Sequence, residues 1–559
     1  MQRSCRQCQA NFETTDADLV FYDDVSPVLQ GKKYRIPPPT LCPGCRYQQR
    51  LTWRNERKLY HRTCSATGRN ILSIFSPDKE WPPVYEQSYW WSDKWDPKKY
   101  GRAFDFSRSF FEQWAELFRD VPQIAMNNQQ SENCEFTNQS QKNKDCYLIF
   151  CSNESRDCMH GMWYEYCKDC VDGLYLEHGE LCYEILNGKN CYGCTFSRNL
   201  DTCSDVHFSK NCIGCSSCFG CVNLRNKQYF IFNEKHSKEE YAKKMQEMRR
   251  DSFHATEEHY QRAQEFFKKF PHKYYEGSNL EDSSGDYIMN LRDSHDCFNS
   301  RNDEHIQHCQ DVWRARNCQD LTETVENDFS YSVEGSANSV NVGFSKKFHQ
   351  LSDAFYCSHC NYSRNLFGCI SLNNGQYCIL NKQYTKEEYE TLVPRIIEHM
   401  RKRGEWGEHF PSMYSPFVYN ESVAQEYFPR TKEEVLAGGY RWRDETDDIA
   451  HTETIIVASD LPDSIHDAPD TLIGQPIRCA VTGRPFRIIK QEMDFYRRMG
   501  LPLPRLHYDE RHRRRMALRN PRKLWQRQCM NCKKAIETTY APDRPEIVYC
   551  EECYLQEVY

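Results

Sequence analysis

Cysteines that recur at multiples of three residues most constrain how residues 129–233 fold. Thirteen of the fourteen cysteines between residues 134 and 221 share one remainder when their numbers are divided by three, and Cys151 is the exception. Many follow Asn or Asp and precede alternating apolar residues, a pattern typical of β-strands. Self-similarity at a fixed short period predicts a solenoid. The main cysteine steps comprise three or four of these three-residue units, so two steps predict a coil of roughly 18 to 24 residues.

The cysteine-rich array is duplicated at an offset of 148 residues. FGCVNLRNKQYFIFNEKHSKEEY (219–241) matches FGCISLNNGQYCILNKQYTKEEY (367–389). Both copies end in a capping box, which predicts a charged helix over about 238–270 and a second helix cut short by Pro394. Small or apolar residues replace cysteine at several places in the second copy: Ser339, Val342, Leu351, Ser363 and Leu366. Such replacements are typical of inward-facing positions, since a free cysteine behaves as a small buried hydrophobe.

The string NCIGCSSCFGC (211–221) leaves two interpretations open. In one, its four cysteines form the inner wall of the solenoid. In the other, they hold a metal ion or an iron–sulfur cluster, although the usual ending of a ferredoxin-type run is missing. The replacements in the second array favour the inner wall. The residues concerned are Cys212, Cys215, Cys218 and Cys221.

Both ends of the chain carry paired CxxC motifs. CRQC (5–8) is followed by CPGC (42–45), and CMNC (529–532) is followed by CEEC (550–553). Four thiolates at about 2.3 Å satisfy tetrahedral Zn²⁺, and each CxxC turn presents two of them. We therefore expect two zinc ions per chain. The predicted ligands are Cys5, Cys8, Cys42, Cys45, Cys529, Cys532, Cys550 and Cys553.

Each end is a tandem of two modules, and one module of each tandem has lost its ligand set. RNERKLYHRTC (54–64) matches RNPRKLWQRQC (519–529). The second N-terminal module has Cys64, Thr67, Glu86 and Tyr89 at the ligand positions, and the first C-terminal module has Cys479, Thr482, His507 and Glu510. A weaker third ion at Cys479, His507 and Glu510 remains open, although threonine is a poor ligand.

The segment CRQCQANFETTDADLVFY…PPPTLCPGCR resembles a family of zinc-binding domains, of treble-clef or zinc-ribbon type, with the pattern CxxC, FY and CPxCR. The resemblance covers roughly the first 50 residues and implies that Cys5, Cys8, Cys42 and Cys45 bind zinc. The segment between the two CxxC motifs is longer than is usual in the family. The whole chain resembles uncharacterised cysteine-rich bacterial multi-zinc proteins, which implies no particular activity.

Positive charge is concentrated beside the zinc modules, although the net charge of the chain is −7. Residues 505–527 include nine Lys/Arg and two acids, and residues 46–62 include six Lys/Arg and one acid. Clustered arginines with interleaved aromatic residues indicate a phosphate-binding face, and a solvated helix face is the alternative. The predicted nucleic-acid-binding residues are Arg46, Arg50, Arg54, Arg57, Lys58, Arg511, Arg513, Arg514, Arg515, Arg519, Arg522 and Lys523.

No P-loop, HExxH, GxSxG or strand-linked GxGxxG motif is present, so we expect a non-catalytic protein. We predict binding of RNA, DNA or a ribonucleoprotein. A protein-interaction scaffold built on the solenoid is the first alternative, and an iron–sulfur or thiol redox protein is the second. The absence of a signal peptide and of a long apolar segment predicts a cytoplasmic protein with reduced thiols and no membrane association.

The expected fold is mainly β with some helix, a duplicated β-solenoid flanked by paired small zinc modules. The predicted units are a zinc module (1–63), a degenerate module with an aromatic-rich segment (64–128), the first solenoid array (129–233), a helical cap (234–284), the second array (285–383), a helical or irregular linker (384–470), a degenerate module (471–528) and a zinc ribbon (529–559).

Overall fold

The computed structural model describes residues 1–79, 81–444 and 455–558. It confirms the expected fold class, because two arrays of parallel β-coils lie between small modules at both ends of the chain. Residues 445–454 of the predicted linker, and residues 80 and 559 of two predicted modules, lie outside this description. The described helices include none with the length and apolar content needed to cross a bilayer.

The N-terminal tandem consists of short hairpins and helices. In each module a two-stranded antiparallel hairpin precedes the segment that packs on the solenoid. The elements are β1 (Gln2–Ser4), β2 (Asn11–Glu13), α1 (Asp16–Asp24), β3 (Val28–Leu29), β4 (Lys32–Lys33), α2 (Pro43–Leu51), β5 (Tyr60–Thr63), β6 (Asn70–Ser73), β7 (Val84–Tyr85), α3 (Gln87–Trp90), α4 (Phe110–Asp120) and β8 (Gln123–Ile124).

One coil of the first array contains 12 residues, which is the separation of stacked, hydrogen-bonded neighbours such as Ser140 and Ser152. Parallel pairing joins Met162 to Leu174, and Leu174 to Leu186, and this step is repeated along the array. The longer coil predicted from two cysteine steps is therefore wrong, because four three-residue units already close a full turn. The strands are β9 (Asn128–Gln129), β10 (Ser140–Gln141), β11 (Met162–Glu165), β12 (Leu174–Glu177), β13 (Leu186–Lys189), β14 (Arg198–Asp201), β15 (Ser204–His207), β16 (Lys210–Ile213), β17 (Ser216–Phe219), β18 (Gln228–Ile231) and β19 (Glu234–Lys235).

The coil closes so early because nearly every third residue has a left-handed backbone. Asn199, Asp205 and Asn211, for example, each have φ of 53°. Asn and Asp tolerate this conformation better than other residues with a side chain, which explains why they so often precede cysteine. Each left-handed residue turns the chain, so four sides of three residues complete one coil. The residue that follows it points inward.

The largest inward residue of the first array lies beside glycines in the narrow interior. Tyr164 lies fully buried inside the first array, and its hydroxyl accepts a hydrogen bond of 2.6 Å from the N–H of Gly173. A Cβ atom on Gly161 would lie 2.0 Å from the ring of Tyr164, and one on Gly173 would lie 2.4 Å from it. The two glycines therefore provide the space that the tyrosine occupies. Cysteine suits many other inward positions because it is small and apolar, and because its S–H can donate a weak hydrogen bond.

Two helices follow the first array, where one was predicted over about 238–270. The capping box is present, since Ser237 and Glu240 exchange hydrogen bonds at the start of α5 (Lys238–Glu247). The chain then breaks at Arg249, which has a left-handed backbone, and Ser252 caps α6 (Phe253–Phe267). The prediction of a single helix is wrong, because the left-handed residue ends the first helix and a new one begins at Phe253. The break lets α6 pack on the first array.

The second array repeats the coil of the first, with longer continuous strands. The residues that replace cysteine there are buried and point inward, as predicted: Ser339, Val342, Leu351, Ser363 and Leu366. The strands are β20 (His272–Lys273), β21 (Gly277–Asp286), β22 (Ile288–Phe298), β23 (Arg301–Gln307), β24 (Gln310–Trp313), β25 (Arg316–Asp328), β26 (Tyr331–Gly343), β27 (Lys346–Phe355), β28 (Asn361–Phe367), β29 (Gln376–Ile379) and β30 (Lys382–Gln383). Of these, β20 pairs with the C-terminal module and not with the array.

The helix after the second array, α7 (Lys386–Lys402), continues past Pro394 and was predicted to be shorter. Val393, Ile396, Ile397 and Met400 are buried on one face, and their burial stabilises the helix across the proline. The remaining elements are α8 (Ala424–Tyr427), α9 (Lys432–Ala437), β31 (Ile456–Val457), β32 (Ile477–Arg478), β33 (Pro485–Phe486), α10 (Lys490–Met499), α11 (Tyr508–Ala517), β34 (Trp525–Gln528), β35 (Ala535–Thr538), β36 (Val548–Tyr549) and α12 (Glu551–Val558).

The substitution Gly161→Ala tests the filling of the first array. We expect it to lower the free energy of unfolding by about 1–3 kcal/mol, because the new methyl group meets the ring of Tyr164. The matched control is Gly375→Ala in the second array, where the nearest atoms lie 3.4 Å or more from the new Cβ. Thermal denaturation followed by circular dichroism measures both. Equal midpoints for the two variants would contradict this account of the interior.

Candidate metal centres and the arginine clamps

All four modules begin with the same backbone turn. The N–H of its first cysteine donates to the carbonyl oxygen five residues later, at 2.8 to 2.9 Å in every module. The residue four positions after that cysteine is left-handed in every module, being Gln9, Gly68, Gly483 and Lys533 in turn. The four first cysteines are Cys5, Cys64, Cys479 and Cys529. The two modules that lost their ligand sets therefore keep the turn that would present them.

The N-terminal tandem holds one group of four cysteines with the geometry of a metal site. The sulfur atoms of Cys5, Cys8, Cys42 and Cys45 all lie within 4.8 Å of one another. The Sγ atoms of Cys8 and Cys42 are 3.7 Å apart. Four sulfurs at about 2.3 Å from a tetrahedral ion lie about 3.8 Å from one another, so this spacing fits zinc.

The C-terminal module holds a second group of the same kind, formed by Cys529, Cys532, Cys550 and Cys553. The Sγ atoms of Cys532 and Cys550 are 3.6 Å apart. Burial opposes a charge on Cys529, but the N–H of Cys550, which lies 3.2 Å from its sulfur, and other N–H groups lower its pKa to about 6. A cysteine held as a thiolate is the form that binds a metal ion.

The third-ion site that the sequence left open does not form a compact ligand group. Among the residues that the structure describes, Cys479, His507 and Glu510 are not brought within 4.8 Å of one another as a set. The ring of His507 instead accepts a hydrogen bond from the N–H of Asp509 and caps α11. Glu510 accepts two hydrogen bonds from Arg513.

A third compact group of possible ligands, Glu56, Cys151 and Glu323, lies buried between the N-terminal tandem and both arrays. Cys151 faces out of the first array because its own backbone is left-handed, which explains its departure from the three-residue period. The guanidinium of Arg54 contacts both carboxylates. Because Arg54 supplies the balancing positive charge, we interpret this group as an ion-pair cluster.

The string NCIGCSSCFGC lies along successive sides of the first array. Its four cysteines, from Cys212 to Cys221, are buried and point inward. Each S–H donates to the carbonyl oxygen two residues earlier, at 3.4 to 3.6 Å. Within residues 1–79, 81–444 and 455–558, these sulfurs do not form a compact ligand group. The geometry supports the inner-wall interpretation.

An arginine pair on α2 holds a buried aspartate of the second array. The guanidinium nitrogens of Arg46 and Arg50 lie 2.5 and 3.2 Å from the carboxylate oxygens of Asp320, which is fully buried. Burial alone would raise the pKa of Asp320, but the two arginines outweigh it and hold the pKa below its ordinary value. The carboxylate therefore stays charged and anchors the first module to the array.

An equivalent pair on α11 holds the equivalent aspartate of the first array. Arg511 and Arg515 both pair with Asp172, and the Arg515 distance is 3.0 Å. Asp172 and Asp320 are separated by the same offset as the two arrays. We call these two contacts the arginine clamps. Sequence analysis missed both aspartates, although the signal was present as an acid that the two arrays share.

The clamps attach the two ends of the chain crosswise. The N-terminal tandem packs on the second array, where Tyr22 and Trp53 share a core with Tyr331. The module at 471–528 packs on the first array, where Tyr496 lies beside Tyr183. The chain therefore closes on itself across both arrays.

Arg522, in the C-terminal tandem, contacts the N-terminal tandem and both arrays. It donates to the hydroxyl of Tyr47 on α2 at 2.6 Å and to the hydroxyl of Tyr175 in the first array at 3.1 Å. It also pairs with Asp311 of the second array at 2.7 Å. The two ends meet nearby, where Arg57 and Lys58 lie 3.3 and 3.2 Å from Asp509.

The twelve basic residues predicted to bind nucleic acid differ in exposure. Five are buried, namely Arg46, Arg50, Arg54, Arg511 and Arg515. Four are intermediate in exposure, namely Arg57, Lys58, Arg519 and Arg522, and the side chains of Arg57 and Arg522 are only 7% exposed. Three are exposed, namely Arg513, Arg514 and Lys523. Much of this positive charge meets carboxylates and aromatic rings within the protein. Nucleic-acid binding by these residues stays a prediction.

No known protein family matches the chain, and no curated protein matches it. The resemblance of the N-terminal segment to zinc-binding domains rests on its sequence pattern, and the structure supports it only through the compact group of four cysteines. The fold and the sites together define a β-solenoid protein with two candidate four-cysteine metal centres.

Metal content tests the two centres directly. We expect about two zinc ions per chain by elemental analysis of protein purified without oxygen, and about one after Cys532→Ser, because one tetrahedral set loses a ligand. The control is Cys215→Ser, which copies Ser363 at the equivalent position of the second array and keeps about two ions. Iron with inorganic sulfide, or loss of metal in the control, would contradict this assignment.

The substitution Asp320→Asn tests the clamp on the second array. We expect a loss of about 3–5 kcal/mol in the free energy of unfolding, because two guanidinium groups lose their buried charge partner. The control is Asp353→Asn, at an exposed left-handed position of the same array. Thermal unfolding measures both variants.

The pH dependence of this loss provides a second check. The folded pKa of Asp320 lies below the unfolded value of about 4, so its contribution is present above that pH and disappears as the pH falls through the folded pKa. Wild type and Asp320→Asn should therefore converge in acid. A loss that is independent of pH would count against the ion pair.

Proposed function

We propose that this protein is a non-catalytic, zinc-stabilised scaffold that binds protein partners along the outer faces of its two solenoid arrays. The observation that carries this proposal is the use of the basic segments inside the molecule. Arginines that sequence analysis assigned to phosphate groups lie against Asp172, Asp320 and Asp311 of the arrays. These arginines hold the scaffold together. The outer faces of the coils therefore remain as the surface available to partners.

The exposed faces carry side chains in regular ladders. Residues one coil apart stack on each other, at about the 4.8 Å spacing of paired strands. Tyr166 and His178 are stacked with ring centroids 4.9 Å apart, and Tyr166 is 51% exposed. Lys168 and Glu180 pair at 2.8 Å on the same array. Long surfaces of this kind suit extended protein partners, as in other solenoids.

The proposed role of zinc is structural. Each centre offers four cysteine ligands, and a four-cysteine site leaves no open position for substrate or water. Cys42 directly precedes α2, and Cys45 lies within its first turn. A metal ion at this centre would fix the start of the helix that carries Arg46 and Arg50. Zinc would thus support the scaffold without taking part in chemistry.

Nucleic-acid binding is the competing proposal. Arg513 and Arg514 are 68% and 49% exposed at the side chain, so a small basic face remains near the C-terminal module. Both also contact Glu510, which reduces the charge available to a phosphate group.

A photo-crosslinking amino acid at Tyr166 or Tyr362, both about half exposed, tests the scaffold proposal in cells. We expect discrete protein adducts from these positions, and none from Met413, which is exposed in the segment that follows the second array. Treatment with nuclease should leave the adducts unchanged.

Titration with random-sequence RNA and DNA provides the opposing test. The scaffold proposal predicts only weak binding at physiological salt, with Kd in or above the non-specific range of about 10⁻⁶–10⁻⁴ M. The proposal fails if binding is much tighter, falls steeply with salt and is lost in the double variant Arg513→Ala, Arg514→Ala.

A further inference from the structure

A cavity of about 480 Å³ lies between the first array, helix α6 and the module at 471–528. Aromatic rings form much of its wall, with Phe196 from the array and Phe253, Tyr260 and Phe267 from α6. Small-molecule sites typically have volumes of about 300–1,000 Å³ and mostly apolar walls, so this cavity has the size and character of such a site.

The equivalent place in the other half of the molecule is filled. The module alignment places Trp53 where Leu518 lines the cavity. Trp53 is fully buried, donates to the carbonyl oxygen of Phe410 at 3.1 Å and packs edge-on against Trp114. Leu518 is smaller and only half-buried. After the duplication, Trp53 fills the site in one half, and the equivalent site beside Leu518 is open.

The array residue at the cavity differs from its counterpart in the same way. Arg198 lines the cavity, and the offset between the arrays places Lys346 at the equivalent position. The ammonium nitrogen of Lys346 lies 3.5 Å from the ring centroid of Trp53, so the indole ring covers the lysine. The guanidinium carbon of Arg198 lies farther from an aromatic ring, at 5.9 Å from the centroid of Phe267, and the group remains part of the cavity wall.

The cavity wall carries more positive than negative charge, since five arginines line it together with two glutamates, Glu184 and Glu257. Arg198 donates to the side-chain oxygen of Gln264 at 3.0 Å and, in the part of the chain that the structure describes, forms no ion pair. Arg505 donates hydrogen bonds to the backbone carbonyl oxygens of Ala458 and Pro462. Arg514 lies 3.6 Å from Glu510 and is half exposed.

A fourth arginine of the wall is buried and incompletely bonded. Arg515 is 2% exposed and lies 2.9 Å from Glu184, yet none of its side-chain nitrogens forms a hydrogen bond within the described residues. Burial raises the pKa of Glu184 to about 7, although Arg515 opposes the rise. Arg515 also pairs with Asp172 at 3.0 Å, so the clamp balances its charge.

We propose that the cavity binds a small molecule with a flat apolar ring system and an anionic group such as a carboxylate, sulfonate or phosphate. The rings of Phe196, Tyr260 and Phe267 would contact the flat part. The guanidinium groups of Arg198 and Arg514 would hold the anion, since a planar guanidinium donates two parallel hydrogen bonds to such groups. This site is independent of the scaffold surfaces proposed above.

Fluorescence titration of the full chain with anilinonaphthalene sulfonate tests the proposal, because this dye combines flat rings with an anion. We expect saturable binding of about one dye per chain. Phenylnaphthylamine, which has the same rings without the sulfonate, should bind at least about tenfold more weakly, because it cannot use the arginines.

Two variants locate the dye. Arg198→Met removes the unpaired charge and should weaken dye binding at least about tenfold. Leu518→Trp introduces the residue that fills the equivalent site and should abolish binding. Arg364→Met, on an exposed position of the second array, is the matched control and should bind as wild type does.

Hydrogen exchange of the wild-type protein locates the bound dye without a substitution, so the proposal can be tested even if a variant fails to fold. Dye binding should slow exchange within residues 253–267 and 502–518. The proposal is overturned by absence of dye binding to wild type, by equal affinity for the two dyes, by unchanged binding in folded Arg198→Met and Leu518→Trp, or by protection confined to other segments.

Discussion

A buried aspartate shared by two arginines attaches each end of the chain to a solenoid array. Arg46 and Arg50 are four residues apart, so α2 presents both guanidinium groups on one face, toward Asp320. The four-cysteine turn at the start of α2 sets the direction of that face. The metal centre positions the helix, and the ion pair attaches the helix to the array. Because a buried charge without its partner is costly, the ion pair favours a single arrangement of the N-terminal module on the second array.

A second constraint explains why so many cysteines need no metal. The left-handed residue at every third position makes a coil so narrow that each side contributes one inward side chain. Cysteine fits there, and its S–H reaches a carbonyl oxygen of its own side, as when Cys158 donates to Arg156 at 3.2 Å. A residue as large as Tyr164 fits where glycines leave room, as Gly161 and Gly173 do. Most thiols are therefore structural, and the two terminal groups are the candidate metal centres.

Duplication followed by divergence accounts for the features that bear on function. Of the tandem modules, the first keeps its ligands at one end of the chain and the second keeps them at the other, while the turn survives in all four. The clamps survive in both halves, which indicates that docking matters for the fold as a whole. The cavity beside the clamp, in contrast, is present in only one of the two halves. Trp53 fills it in one half, and Leu518 leaves it open in the other, beside Arg198, which forms no ion pair in the described part of the chain.

The sequence by itself determined the inward positions, the duplication and both four-cysteine groups, because each depends on short, repeated spacing. It did not determine the coil length, since the left-handed backbone that closes each turn so early is invisible in the spacing of cysteines. Nor did it determine what Arg511 or Arg522 contacts, because a basic segment has the same sequence pattern whether it faces solvent or faces Asp172 and Asp311. Those partners lie 211 residues or more away along the chain. Only the crosswise tertiary packing brings them together, and with them the cavity.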